Sequence, residues 1–256
     1  MRKTALWIQY DGFSSKNYNV FQVNFESGLM QKETLLPSRN INKTTRQNSF
    51  ISDFYSVTEE PLTLEVNLVY KDRFTDQDIV NAMRWLKQDT YRPLIFESEP
   101  ENVYYAIPTK IDMSHDTLRK GYFTVQFECN APYPFTKVQM SPQYACTTTL
   151  EDDINSNSVF DTQIVKVQVK TKARGDFLIK NKSTDTELRL IDVPANLKIT
   201  FDCLNHQIYA VNSNNEEVLI NNNKNNHSWI ELMAENNTIY AEGNIDFQII
   251  WQGIRI

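Results

Sequence analysis

The chain has 256 residues, 41% hydrophobic and 23% charged, which is enough to build one large or two ordinary packed domains. A net charge of -6 argues against a surface that attracts nucleic acid, so we expect no sequence-specific nucleic-acid binding. No apolar run reaches the ~20 residues of a membrane helix, and the basic start at 1–7 is too short for a signal peptide. We expect a protein that folds in a cytoplasm and contacts no membrane.

Several catalytic and cofactor-binding classes lack the residues that they need. The six glycines are scattered, which excludes a glycine-rich loop that cradles phosphate. The three histidines do not pair at helical metal-ligand spacing, and no GxSxG nucleophile turn occurs. Cys129, Cys146 and Cys203 lie far apart in sequence, so we expect free thiols. The sequence predicts no enzyme and no cofactor.

The first half predicts strands wherever apolar and polar residues alternate with a period of two. The expected strands cover 6–10, 20–25, 62–70, 94–96, 103–107 and 122–129. Residues 37–48 are polar and include Arg39 and Arg46, and we expect a long loop there.

One helix is expected after the strand at 62–70. Thr75 and Asp78 have the spacing of a capping box, in which each side chain bonds the other residue's backbone N–H. Apolar residues then follow at helical spacing, and Pro93 limits how far the helix extends.

The second half shows no helical pattern and many short alternating segments separated by Asn-rich turns. The expected strands cover 165–169, 177–179, 188–191, 197–203, 208–211, 218–220, 229–233 and 245–251. Periodicity disappears between the halves, so we expect domains at 1–136 and 159–256 with a linker at 137–158. The predicted fold is mainly β, and the second domain is expected to be an antiparallel jelly-roll sandwich.

Six short motifs occur in order in the first half. They are Glu60-Pro61-Leu62, Arg84-Trp85-Leu86, Asp89-Thr90-Tyr91-Arg92-Pro93-Leu94, Tyr104-Tyr105, Gly121-Tyr122-Phe123 and Pro132-Tyr133. This pattern covers nearly all of residues 1–135 and resembles the distal tail protein (Dit) family of long, non-contractile-tailed bacteriophages. The second half is similar to that family's carboxy-terminal sandwich, which is galectin-like or carbohydrate-binding-module-like. The segment near Pro37 lacks a glycine that many members carry, and no large insertion for an added sugar-binding module is present.

The resemblance implies a structural virion protein that forms a hexameric ring at the distal end of the tail. The amino-terminal domain, β-sandwich-like with one α-helix and a β-hairpin, would build the ring, and the carboxy-terminal domain would project outward. The implied partners are the tail tube protein, the tail-tip hub protein (of the tail-associated lysin or fibre type) and the tape-measure protein. The implied location is the tail tip or baseplate of the virion, with assembly in the host cytoplasm.

Candidates for the contacts between subunits come from the motifs and the basic segment. They are Arg39, Arg46, Arg84, Trp85, Tyr91, Arg92, Tyr104 and Tyr105. For Trp85, packing on its own sheet is favoured over an interface role. Of the two adjacent tyrosines, one is expected in the core and the other at a contact, because neighbours on a strand point to opposite faces.

A second hypothesis makes the second domain a carbohydrate-binding module that attaches the virion to the cell wall. Its candidate aromatic residues for stacking on sugar rings are Tyr209, Trp229, Tyr240 and Trp251, although sandwich cores also need aromatics. A third hypothesis, a wall-degrading enzyme, would need paired carboxylates, and adjacent acids such as those at 151–153 rarely face each other across a sugar. Asp112, His115 and Asp116 are favoured as a solvated turn over a cation site.

Overall fold

The structure, a computed structural model, describes residues 7–23, 37–45, 50–163, 166–220 and 228–255. The chain forms two compact units, of which the first ends at Phe135 and the second runs from Thr136 to Arg255. Strands dominate both units, as the sequence predicted, and every strand pair recorded is antiparallel. No helix in the described part of the chain is long and apolar enough to cross a membrane.

The first unit contains strands, a 3-10 helix (η1) and one α-helix (α1). In chain order these are β1 (Ile8–Tyr10), β2 (Phe13–Ser14), η1 (Ser15–Tyr18), β3 (Val20–Gln22), β4 (Arg39–Thr45), β5 (Ser52–Glu59), β6 (Thr63–Tyr70), α1 (Asp76–Leu86), β7 (Arg92–Phe96), β8 (Glu99–His115), β9 (Gly121–Cys129) and β10 (Phe135–Thr136). One sheet has the order β2-β1-β7-β8-β9-β6-β3, with β10 pairing beside it to β8. β4 and β5 form a separate two-stranded hairpin.

Helix α1 begins where its capping box predicts. The Thr75 hydroxyl accepts a hydrogen bond from the backbone N–H of Asp78 (3.2 Å), and the Asp78 carboxylate accepts one from the backbone N–H of Thr75 (2.7 Å). The helix buries Ala82, Trp85 and Leu86 in the core of the first unit. The predicted helix is therefore confirmed, including its cap.

The second unit consists of strands only among its described residues. They are β11 (Gln139–Met140), β12 (Tyr144–Cys146), β13 (Thr149–Asn155), β14 (Thr162–Gln163), β15 (Lys166–Thr171), β16 (Gly175–Asn181), β17 (Thr186–Val193), β18 (Lys198–Asp202), β19 (Gln207–Val211), β20 (Glu231–Leu232), β21 (Asn236–Glu242) and β22 (Ile245–Trp251). One sheet has the order β11-β22-β15-β18-β19, with β12 also on β22, and the other has the order β13-β21-β16-β17. β14 and β20 pair separately.

The two larger sheets of this unit pack face to face around one apolar core. Phe177 of β16 meets Phe201 of β18 edge-on, with ring centroids 6.3 Å apart. Both rings are buried, and so are the inward residues of β15, β16, β18, β21 and β22. Alternation of fully buried residues with more accessible ones along β15, β18 and β22 produces this sandwich. The predicted antiparallel sandwich is confirmed.

The structure differs from the sequence-based expectation at several places, which include the unpredicted strand β5. The expected loop at 37–48 contains β4, and the expected linker at 137–158 contains β11, β12 and β13, all paired within the second unit. These strands are short or expose most of their residues, so they lack the buried alternating face that reveals a strand in sequence. Residues 218–220 form no strand, whereas β21, which was not predicted, lies in the middle of its sheet.

The three cysteines are free, as expected, and the structure buries all three. Burial raises the pKa of the Cys129 and Cys203 thiols to about 12, which keeps both protonated and unreactive near neutral pH.

Candidate functional site

The β4–β5 hairpin has one apolar face that lies in solvent. Cross-strand partners share a face of a two-stranded sheet, so the paired residues Ile41 and Val57 lie on the same face. Lys43 follows on that face and pairs with Phe54 after a register shift. Phe54 is 64% exposed and Ile41 is 59% exposed. We call this surface, defined by Ile41, Phe54 and Val57, the hairpin face; clustered exposed apolar side chains of this kind mark interaction surfaces.

The other face of the hairpin is polar and is bonded within itself. The Asn42 amide donates to the Ser56 hydroxyl at 2.9 Å. On the same side as Ile41 and Val57, at the end of the hairpin, Arg39 forms an ion pair with its cross-strand partner Glu59 at 3.0 Å. The predicted contact residue Arg39 therefore already has a carboxylate partner in its own unit, and Arg46 lies outside the described residues.

A groove of about 320 Å³ lies beside α1, but Trp85 belongs to the core beneath it. Trp85 is only 3% exposed, its indole N–H donates to the backbone oxygen of Tyr10 at 3.0 Å, and Tyr18 stacks on its ring at 4.7 Å. Arg84 is exposed and lines the groove together with Asp11. Of the two adjacent motif residues, the structure places Arg84 at the surface and Trp85 inside.

Tyr91 and Arg92 lie at the surface where β7 begins. The Arg92 guanidinium is 3.7 Å from the Asp11 carboxylate, and the Tyr91 hydroxyl is 3.5 Å from the Glu128 carboxylate. Exposed pairs of this kind contribute only ~0–1 kcal/mol, so neither residue is needed for the stability of its own unit.

Tyr104 and Tyr105 are both half-buried within the first unit. Tyr104 packs edge-on against Phe96 at 5.6 Å and donates its hydroxyl proton to Glu99 at 3.3 Å. Burial, and then the Glu99 charge, raise the pKa of Tyr104 above its ordinary value. Tyr105 meets Phe135 edge-on at 5.8 Å. The structure thus gives both rings packing partners on their own unit, rather than one buried and one exposed ring.

Two of the four predicted sugar-stacking aromatics of the second unit have no open ring face. Trp251 is 4% exposed, and its indole N–H donates to the backbone oxygen of Ser156 at 3.1 Å. Trp229 is partly buried against the core and stacks on His206, with ring centroids 5.0 Å apart. Trp251 is a core residue. In Trp229 the His206 imidazole occupies the ring face that a sugar would need for stacking.

Tyr240 and Tyr209 lie on the outer faces of the two opposite sheets. The Lys182 ammonium lies 4.7 Å from the centroid of the Tyr240 ring, so a cation covers that ring. Tyr209 is 53% exposed on β19 and lines a groove of about 410 Å³. Of the four predicted residues, Tyr209 is therefore the one that the structure brings together with other surface groups in a groove.

The groove beside Tyr209 lies on the outer face of the sheet β22-β15-β18-β19, and we call it the sheet groove. Strand register arranges its outward side chains in two rows that cross the strands. The first row is Gln248, Gln168, Thr200 and Tyr209, and the second is Asp246, Lys170, Lys198 and Val211. Amide, hydroxyl, ammonium and carboxylate groups and one aromatic ring thus line the same surface.

The carboxylates at 151–153 do not form a catalytic pair. Glu151 bonds Lys182 at 2.5 Å, and Asp153 accepts from the Thr238 hydroxyl at 2.7 Å. Asp152 accepts from Tyr144 and contributes, after burial, to raising the pKa of that phenol to about 12. Each carboxylate therefore has its own partner.

The second acidic cluster is also bonded locally. Asp112 pairs with Lys110 at 2.5 Å, and a ring nitrogen of His115 lies 3.1 Å from the backbone oxygen of Asp116. Among the described residues, no group of three or more His, Cys, Asp or Glu is placed to hold a metal ion.

Sequence reasoning missed the hairpin face and most of the sheet groove. Ile41 is the one apolar residue of β4, which gives no periodic signal. The sheet groove did leave a signal, because Lys166, Gln168 and Lys170 alternate with buried valines and must face outward. What the sequence lacks is the register that sets Lys170 beside Lys198.

Comparisons with known proteins identify the family. Residues 4–131 match the family described as phage tail protein N-terminal domain, and residues 133–251 match the one described as phage tail C-terminal domain. The chain belongs to the phage tail protein family. A relative of this phage tail protein is the SPbeta prophage-derived uncharacterized protein YomH of Bacillus subtilis (strain 168), 24% identical over 216 residues that cover 84% of this chain and 81% of YomH.

Solved structures identify the fold of this phage tail protein. The crystal structure of the SPP1 Dit (gp 19.1) protein, described as a paradigm of hub adsorption apparatus in Gram-positive infecting phages, matches with a TM-score of 0.70 and 16% identity, covering 98% of this chain and 99% of Dit. Chains of the phage P2 baseplate in its activated conformation match with TM-scores of 0.52 (with Ca, 10% identity, 95% and 98% covered) and 0.54 (with Sr, 8% identity, 95% and 97% covered). The fold is that of Dit, as the sequence motifs indicated.

Proposed function

We propose that this phage tail protein is a structural subunit without catalytic activity, and that six copies form a ring at the distal end of the tail. The hairpin face carries the proposal. A two-stranded hairpin is marginally stable on its own, and this one exposes Ile41, Phe54 and Val57 together. In a closed ring, each subunit uses two different patches, so the hairpin face of one copy would pack on another surface of the next.

The ring would join the tail tube protein to the tail-tip hub protein, with the tape-measure protein ending nearby. The Dit fold and the membership in the phage tail family support this arrangement. Its place in the virion would be the tail tip or baseplate, after assembly in the host cytoplasm. Interfaces of such permanent assemblies commonly bury ~2,000 Å² or more, far more than the hairpin face alone, so further contacts are needed. Exposed Arg84, Tyr91 and Arg92 are candidates for them.

The mass of the purified chain in solution tests the ring. Light scattering coupled to size exclusion should give six times 29.9 kDa across a concentration series. Electron micrographs of the same fraction should show closed rings with six-fold symmetry. A dimer with two-fold symmetry would contradict the proposal, because it pairs identical patches and cannot close a ring of six.

A second function, contact of the second unit with a cell-wall glycan, is favoured by one observation. Tyr209 presents a half-exposed ring beside a row of amide and hydroxyl groups, which are the donors and acceptors that sugar hydroxyls need. Pull-down of the full chain on purified cell-wall polysaccharide should show saturable binding that Tyr209→Ala weakens. Retention that is not saturable, or that Tyr209→Ala leaves unchanged, would remove this function.

A further inference from the structure

The sheet groove contains an arrangement of charge that is unfavourable as it stands. Lys170 and Lys198 lie directly opposite each other on neighbouring strands β15 and β18. Like charges at directly opposite positions destabilise a sheet. Asp246, the cross-strand neighbour of Lys170, already pairs with Lys172 at 2.6 Å. Within the described part of the chain, neither Lys170 nor Lys198 has an ion pair, in a protein whose net charge is -6.

The outer face of the opposite sheet is built differently. There Lys182 pairs with Glu151 at 2.5 Å and Lys180 pairs with Asp185. Lys182 also covers the Tyr240 ring. These two lysines and this aromatic ring therefore have partners on their own face. The sheet groove leaves two cations and one ring open, and this contrast between two faces of one sandwich indicates a missing anionic partner.

We infer that the sheet groove binds an acidic polysaccharide, a chain of sugar or polyol units that carries carboxylate or phosphate groups. The inference rests on the proposed glycan contact and adds the charge of the ligand. Tyr209 would stack on a ring, while Gln168, Gln248 and Thr200 would bond hydroxyls. Lys170 and Lys198 would bind the anionic group, and the ligand charge would relieve their mutual repulsion.

The dimensions of the sheet groove agree with an extended ligand. Each row crosses four strands, which places its ends roughly 14 Å apart at the usual strand spacing. The rows lie side by side, so a chain that runs across the strands meets amides and Tyr209 on one flank and the lysines on the other. One anionic group near the centre of the chain would reach both Lys170 and Lys198.

A protein partner fits this surface less well. The buried centre of a protein interface is depleted of charge and enriched in aromatic and apolar groups. Here the outward side chains are three amides or hydroxyls in one row and two lysines with an aspartate in the other, with only Tyr209 and Val211 to provide apolar contact. Polar rows with a single ring suit a hydrated polyol chain.

Calorimetric titration of the full chain with three probes tests the inference. The probes are an oligogalacturonic acid, its neutral methyl ester, and a glycerol phosphate oligomer, so that carboxylate and phosphate sources are separated. At low salt, at least one acidic probe should bind about tenfold or more tightly than the ester. In ~1 M salt this advantage should vanish, because solvent-exposed charges are screened within ~3 Å.

Matched variants locate the site. Lys170→Gln with Lys198→Gln should remove the preference for the acidic probe and leave the ester unaffected, whereas Tyr209→Ala should weaken both. The control, Lys180→Gln with Lys182→Gln, removes the same charge from the opposite face and should change neither. Each variant is first required to be folded, with the circular dichroism spectrum and the cooperative unfolding of the parent.

The possible outcomes distinguish binding of an acidic ligand from binding of a glycan in general. Equal binding of acid and ester, both weakened by Tyr209→Ala, would overturn the acidic ligand and leave the glycan contact standing. Binding that the control variant abolishes and the groove variants do not would overturn the site. Binding of none of the three probes would overturn the acidic ligand, whereas the glycan contact is decided by the pull-down on cell-wall polysaccharide. The hexameric ring is unaffected by any of these results.

Discussion

Replacement of Phe54 by serine should dissociate the proposed ring without unfolding its subunits. An aromatic side chain has ~150–250 Å² of surface, so the 64% of Phe54 that is exposed leaves roughly 130 Å² for a partner to cover. At ~25 cal/mol per Å² this area is worth about 3 kcal/mol at each interface. A loss of that size lowers the association constant of one interface roughly 100-fold. The free energy of unfolding of the single subunit should change by no more than ~0.5 kcal/mol, because most of the Phe54 side chain is already in solvent.

Sedimentation velocity of parent and Phe54→Ser at equal concentrations measures this directly. The variant should sediment mainly as a monomer where the parent is assembled. At a dilution at which the parent is also monomeric, both should unfold at the same urea concentration. Leu118→Ser is the matched control, because Leu118 is a similarly exposed apolar residue in the same unit, on the β8–β9 turn. An assembled Phe54→Ser protein would show that the hairpin face is not an interface. Dissociation of Leu118→Ser as well would show that the effect is not specific to the hairpin.

Three further expectations concern the folded subunit. Trp85→Phe leaves the Tyr10 carbonyl without its indole donor and should cost ~2 kcal/mol in urea unfolding; no loss would contradict the role of that bond. Thr75→Ala should cost ~1 kcal/mol at neutral pH. Hydrogen bonds from Thr75 lower the pKa of the Asp78 carboxyl below its ordinary value of 3.8. The stability that these bonds give is therefore fully present above pH 3.8 and is lost as the pH falls through the lowered pKa. Cys129 and Cys203 should resist alkylation at pH 8 until urea unfolds the chain; rapid labelling of native protein would contradict their burial.

Local chemistry explains which parts of the fold could be read from the sequence. Helix α1 was predictable because its cap and its apolar stripe lie within a dozen neighbouring residues. β22 was predictable because every second residue from Ile245 to Trp251 is buried. β4 was not, because neither of its faces is covered in the subunit. A strand whose apolar residues stay exposed leaves no buried periodicity, so a surface hairpin of this kind is hard to predict from sequence.

The candidate sites follow the same logic. Trp251 and Tyr209 look alike as aromatic residues on strands, yet one is a core residue and the other lines a groove. The difference lies in pairing. Trp251 is one of the alternate residues of β22 that point into the core. Tyr209 pairs with Thr200 of β18, which points outward, so Tyr209 points outward too. The pairing between strands therefore decides which aromatic residue is accessible to a ligand. The sequence of one strand does not reveal that pairing.

The two proposed surfaces also make a joint prediction about affinity. An open groove that uses two lysines and one tyrosine should bind a single short ligand weakly, because exposed charges and one ring contribute little each. Six copies in a ring would bind a surface coated with the polymer far more tightly, since the later contacts become intramolecular. Phe54→Ser should therefore keep the single-site affinity of the parent for a short acidic oligomer in solution. On the same polymer immobilised at high density it should dissociate at least ~100-fold faster than the parent. Equal dissociation rates for parent and variant would mean that the groove acts alone and that the ring adds nothing to attachment.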